Sequence, residues 1–147
     1  MTREERAREN FLKGYNCAQA VLLAYADKVG MDEETLAKLA APFGGGMGRL
    51  REVCGAVSGM LMVDGFLRGY SDPAAKEEKT ETYARVQSLA ARFREECGSI
   101  VCRELIKEKN DTAPTPSERT AEYYKKRPCA ELVALAARIL DEELEKC

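Results

Sequence analysis

Apolar residues recur at helical spacing along most of the chain, and no segment shows convincing strand alternation. The expected fold class is therefore all-α, a single-domain helical bundle of about six to eight helices over residues 1–147. The broadest apolar pattern lies at Glu52–Arg68, where Val53, Ala56, Val57, Met60, Leu61, Val63, Phe66 and Leu67 recur at spacings of 3, 4 and 7. A helix apolar around most of its circumference is one that other helices surround, so this is the expected central element. Asp64, inside it, is expected on an exposed edge.

The other elements follow from their punctuation. Arg3–Lys13 reads as a charged helix with Ala7, Phe11 and Leu12 inward. Asn16 caps a second, Cys17–Val29, which Gly30 closes. Asp32 caps a short helix through Leu36 and Ala40, stopped by Pro42. Asp72 and Pro73 are the expected cap and first residue of the longest helix, with Tyr83, Val86, Ala90, Phe93 and Cys97 inward and Gly98 as its end. Ser99 caps a helix expected over Ile100–Lys107. Asn110–Pro116 reads as a loop too short to separate domains. Helices at Ser117–Lys126 and Cys129–Glu145 complete the pattern.

Between Pro42 and the central helix the pattern breaks. Gly44, Gly45, Gly46 and Gly48 place four of the eleven glycines within five residues, just before Cys54. Such a loop lets backbone come close to a ligand or a neighbouring segment. It lacks the Gly-Lys-Ser/Thr of a phosphate loop and the third glycine of a dinucleotide fingerprint, and no strand precedes it. Arg49 and Arg51 have two readings: neutralising an anionic centre or ligand, or facing solvent. Gly55, Ala56 and Gly59 give the central helix a small-residue face, for close helix packing or for space beside Cys54.

Composition narrows the chemistry. The chain has 147 residues, a net charge of −2 and a pI near 5.4, so there is no broad basic surface for nucleic acid. Met1–Asn10 is densely charged without an apolar core of a signal peptide, and no apolar run approaches the roughly 18 residues of a membrane span. The expected location is the cytoplasm, with no membrane partner. Histidine is absent, which excludes Ser-His-Asp and Cys-His machinery, imidazole-held metals and haem attachment through Cys-x-x-Cys-His.

Six cysteines remain: Cys17, Cys54, Cys97, Cys102, Cys129 and Cys147. Cys17, Cys54, Cys102 and Cys129 each fall in or near the first turn of an expected helix, where free amides and the helix dipole favour an anion. Each thiol is therefore expected to ionise more readily than a free one, and the four to share one site as metal ligands or as exchanging disulfides. Taken singly, a buried cysteine is commonly a small hydrophobe. Cys97 is expected to be a core residue, and Cys147 an incidental one near the end.

The segments Gly14-Tyr15-Asn16-Cys17-Ala18-Gln19-Ala20, Phe43-Gly44-Gly45-Gly46-Met47-Gly48-Arg49, Cys54-Gly55-Ala56-Val57-Ser58-Gly59, Gly98-Ser99-Ile100-Val101-Cys102 and Pro128-Cys129 resemble the C_GCAxxG_C_C family of small redox-active proteins, over nearly the whole chain. The resemblance implies a bacterial or archaeal protein with a four-cysteine redox role. A similar domain occurs in split-Soret cytochromes, which carry iron; without histidine to hold haem, only a non-haem, cysteine-held centre carries over. Cys97 and Cys147 match no cysteine of that pattern.

Three readings follow. The first is a redox protein, an oxidoreductase or an electron carrier, that serves a redox partner the sequence does not name. Its Cys17, Cys54, Cys102 and Cys129 hold an iron–sulfur cluster or other metal, or cycle between thiol and disulfide, beside Gly44, Gly45, Gly46, Gly48, Arg49 and Gly55. The second is a binding module with a structural four-cysteine zinc site. The third is a helical interaction protein, such as a homodimer, with dispersed inert thiols.

Overall fold

A computed structural model describes residues 1–106 and 111–146. Among them are nine α-helices and one 3-10 turn. They are α1 Arg3–Leu12, α2 Cys17–Leu23, α3 Ala26–Val29, α4 Glu33–Ala40, the turn Ala41–Phe43, α5 Gly55–Arg68, α6 Lys76–Cys97, α7 Cys102–Ile106, α8 Ala121–Lys126 and α9 Cys129–Glu145. The fold is all-α, as the periodicity implies. No helix among the described residues is long and apolar enough to cross a membrane. The expected end of a helix at Lys107, the expected loop start at Asn110, and Cys147 lie outside the described residues.

The core forms where α2, α5 and α9 meet. Helix α2 buries Ala18, Ala20, Val21, Leu22 and Leu23, so it is as central as α5. α1 lies along α9 and α2 and contributes Ala7 and Phe11. Side chains at the N-terminal end of α5 are buried, whereas Phe66 near its C-terminal end is exposed. The α2–α5 contact is backbone against backbone. A Cβ at Gly59 would stand 2.7 Å from the Ala18 carbonyl oxygen, and one at Gly55 would stand 3.0 Å from both the Ala18 nitrogen and the Cys17 Cβ.

Five local expectations are corrected by tertiary contacts, the first being that the helix expected from Ile100 starts at Cys102, because Val101 pairs with Val53. The single helix expected over Cys17–Val29 is two, because Tyr25 turns fully inward to donate its hydroxyl to the Ala137 carbonyl (3.0 Å) and to Asp141 Oδ1 (2.8 Å) on α9. Helix α5 starts at Gly55 rather than Glu52, because Val53 and Val101 form an antiparallel bridge flanked by Cys54 N to Ile100 O (2.7 Å) and Cys102 N to Glu52 O (2.6 Å). The long helix α6 starts at Lys76, since Asp72 uses its carboxylate to hold a turn, accepting from Ala74 N at 2.9 Å. Helix α8 starts at Ala121, with Thr120 as its cap, rather than at Ser117.

Burial is corrected in three further places, the first being Leu12 on α1, which is exposed rather than inward. On α6 only Leu89 and Phe93 are fully buried; Tyr83 is exposed and packs edge-on against Tyr70. Asp64 is 1 % exposed rather than on an open edge. Arg68 Nε at 2.9 Å and Arg85 Nε at 3.2 Å enclose its carboxylate, and Arg85 also donates to the Arg68 carbonyl, closing α6 onto the end of α5. Burying a carboxylate is tolerable only with such partners.

The glycine contact leads to a stability test. Gly59→Ala forces α5 away from α2 and is expected to cost about 1–3 kcal/mol, read as a lowered denaturation midpoint at unchanged slope; an unchanged midpoint would mean the helices have room to separate.

Candidate functional site

The four cysteines expected at helix starts are there. Cys17 is the first residue of α2, Cys54 caps α5, Cys102 is the first residue of α7 and Cys129 the first of α9. All four line one cavity of about 600 Å³. Gly44, Gly45, Gly46, Gly48, Arg49 and Gly55 line it as well.

Each sulfur is delivered by a local device. Asn16 accepts from Gln19 N (2.9 Å) while Gln19 returns a bond to Asn16 N (3.0 Å), a capping box that sets Cys17 at the start of α2. The Val53–Val101 bridge holds Cys54 and Cys102 on adjacent extended segments just before their helices. Pro128 presets the chain ahead of Cys129. Cys97 is elsewhere, half-buried at the end of α6, donating to the Phe93 carbonyl at 3.0 Å.

The glycine loop forms one wall. Gly45, Gly46, Met47, Gly48 and Arg49 are consecutive left-handed residues with φ between +56° and +72°, and Arg51 follows at +63°. For Met47, Arg49 and Arg51 this costs roughly 1–2 kcal/mol each. Backbone bonds hold the loop closed, including Gly48 N to Pro42 O at 2.7 Å and Glu52 N to Gly46 O at 2.9 Å. Gly46 lies under Cys102: a Cβ there would meet the Cys102 Cβ at 2.7 Å. Glycine is required at this point by both the positive φ and the close approach.

The two loop arginines do not face solvent. Arg51 is 3 % exposed, with Nη1 3.8 Å from the Cys102 sulfur and the rest of its guanidinium on the Asp111 carbonyl. Arg49 reaches across the mouth to the Ala113 and Thr115 carbonyls and to Ser117 Oγ (3.1 Å), with the Asp111 carboxylate at 3.8 Å.

Three lining residues were not read from the sequence. Arg119 donates to the Phe11 carbonyl (2.9 Å) and the Tyr15 carbonyl (3.0 Å) and lies over the Phe11 ring at 4.2 Å. Arg127 lies over the Tyr123 ring, 5.0 Å from its centroid. Arg127 stands two residues before a cysteine at a helix start, a signal within reach of the sequence. Arg119 and Tyr123 carried none, since only the docking of α8 against α1 brings them in.

Ionisation follows burial more than helix position, which corrects the expectation of four activated thiols. Cys17 sits well above the usual thiol range, chiefly because of the neighbouring Cys129 thiol, and then because of burial. Burial pushes Cys54 up to about 12 against the opposing pull of the Ala56 and Val57 amides. Burial also raises Cys102, although Arg51 opposes it. Cys129 alone of the four is lowered, first by the neighbouring Cys17 thiol and further by the positive charge of Arg127, Arg119 and Arg51. The arrangement is one thiolate-prone sulfur among three that hold their protons. Among the described residues no three Cys, Asp or Glu side chains are gathered closely enough to hold a single metal ion, and Cys17, Cys54, Cys97, Cys102 and Cys129 are free thiols.

Two tests follow. Gly46→Ala is expected to destabilise by about 2–4 kcal/mol, while Met47→Gly, which relieves a left-handed residue whose side chain is exposed, stabilises by about 0.5–1 kcal/mol; opposite signs in chemical denaturation check the strain. For pH, a thiol whose folded pKa is raised keeps its proton in the folded state while the unfolded chain loses it. The stability Cys54 contributes is then present below about pH 9 and lost as pH rises toward about 12. Metal-free, reduced protein should lose stability across that window, and Cys54→Ala should flatten the loss.

Compared with curated proteins and with solved structures, the chain matches none of them. A family model does match, over residues 15–143, a span that holds Cys17, Cys54, Cys102 and Cys129. The family label spells its second element Gly-Cys-Ala-x-x-Gly, whereas this chain reads Cys54-Gly55-Ala56-Val57-Ser58-Gly59. The chain belongs to the family described as "Putative redox-active protein (C_GCAxxG_C_C)".

Proposed function

We propose that Cys17, Cys54, Cys102 and Cys129 together form a redox centre whose resident group is an iron–sulfur cluster. The observation that carries this reading is the convergence of four sulfurs, from four separate helix starts, on one cavity. The donor set fits: four thiols with no histidine in the chain are the soft ligands that iron–sulfur clusters take.

When bound, the cluster supplies electron exchange at a potential set by charge, hydrogen bonds and exposure. The chain supplies the setting. The Ala56 and Val57 amides face Cys54, Arg51 faces Cys102, and Arg119 and Arg127 face Cys129, so positive charge meets each of these sulfurs as it becomes a thiolate. Each of the four thiols must release its proton on ligation, so loading is favoured as pH rises.

A second reading rests on the Cys17–Cys129 contact. Two neighbouring thiols of which one, Cys129, is lowered and the other, Cys17, is raised have the asymmetry that thiol–disulfide exchange uses. In that reading Cys129 attacks one sulfur of a partner's disulfide and expels the first thiol; Cys17 then displaces the second, leaving a Cys17–Cys129 bridge and a reduced partner.

Anaerobic purification followed by iron and sulfide analysis with visible spectroscopy separates the two. The cluster reading expects stoichiometric iron and sulfide, and near-complete loss of both in each of the four Cys→Ser variants. Iron-free protein with a Cys17–Cys129 disulfide by mass spectrometry after oxidation would favour the second. Colourless protein whose thiols ignore redox conditions sinks both.

A further inference from the structure

The cavity holds more than its sulfurs need. About 600 Å³ lies within the size range of small-molecule sites, roughly 300–1,000 Å³. Among the described residues its lining includes four guanidinium groups, Arg49, Arg51, Arg119 and Arg127, and not one Asp or Glu. A net charge of −2 over the whole chain makes that local excess unlike the average surface. Arg49 has the Asp111 carboxylate at 3.8 Å. Among the described residues Arg51 and Arg119 bond or stack with backbone carbonyls, a sulfur, a tyrosine hydroxyl and aromatic rings rather than with a carboxylate, and the one acidic group they both act on, the Cys129 thiol, is shared with Arg127.

Burying a guanidinium costs several kcal/mol unless an anion compensates, and Arg51 is 3 % exposed. Beside the thiols and the polar Asn16, Gln19 and Ser117, Phe11, Leu105, Ile106 and Leu132 with the Tyr123 ring give the wall an apolar part. We propose that this cavity binds a small organic oxyanion, a carboxylate- or phosphate-bearing molecule with an apolar body, whose charged group Arg51 and Arg119 hold. The proposal rests on the four-cysteine reading for its purpose, since such a molecule would be brought within reach of those sulfurs, but its binding does not depend on a cluster.

Calorimetric titration of reduced, metal-free protein tests it with four probes: benzoate, phenyl phosphate, benzyl alcohol and acetate, at constant ionic strength in chloride. Saturable binding of benzoate or phenyl phosphate, at least tenfold tighter than both benzyl alcohol and acetate, is expected, and whichever of the two binds better identifies the head group. Arg119→Gln and Arg51→Gln should each weaken it about tenfold or more, with circular dichroism confirming the fold; should Arg51→Gln not fold, Arg119→Gln and Arg119→Lys carry the test. Equal binding of benzyl alcohol, no saturable binding at all, or undiminished binding in the folded arginine variants overturns the proposal. The same titration on Cys17→Ser keeps the two questions apart: a chain that never takes up iron can still bind the anion, and one that takes up iron can fail to.

Discussion

The approach of α5 to α2 is the constraint on which the site depends. Gly55 and Gly59 let the two backbones come closer than any side chain would allow, and Gly55 sits against the Cys17 Cβ itself. The residue before Gly55 is Cys54 and the residue before Ala18 is Cys17, so one contact fixes two of the four sulfurs. Glycine within a helix costs about 1 kcal/mol relative to alanine. The gain here is position: helix starts far apart in sequence are held side by side.

The remaining two sulfurs are placed by a different means. Cys102 is tied to Cys54 through the short extended pairing of residues 52–54 with 100–102, and Gly46 leaves room for it beneath the loop. Cys129 arrives on α9, the helix along which α1 lies. The loop, the bridge and the helix pairs therefore converge, and the left-handed strain at Met47, Arg49 and Arg51 is sustained because backbone and arginine hydrogen bonds over-determine the loop.

Charge arranges the cavity as much as geometry does. The sulfurs are removed from water, which favours their protonated forms, while helix starts and arginines favour thiolates. The balance differs at each position: the positive charge of three arginines helps lower Cys129, whereas the neighbouring Cys129 thiol and burial raise Cys17. A site in which desolvation and positive charge oppose each other is poised to change protonation when a cation binds or a sulfur is oxidised, which accords with the redox role named in the family description.

Sequence alone determined the helical class, the starts of α1, α2, α4 and α9, and the placement of Cys17, Cys54, Cys102 and Cys129 at or near helix starts, because periodicity, Asn16, Pro128 and the glycine loop act locally. It could not determine which charges are buried. Asp64 reads as an edge residue until Arg85 arrives from α6, Arg51 reads as a loop cation until residues around Asp111 cover it, and Arg119 has no local signal at all. Helix position alone was likewise a poor guide to acidity, since a thiol's pKa depends on the solvent it loses when distant elements pack over it. That loss exists only once the chain has folded.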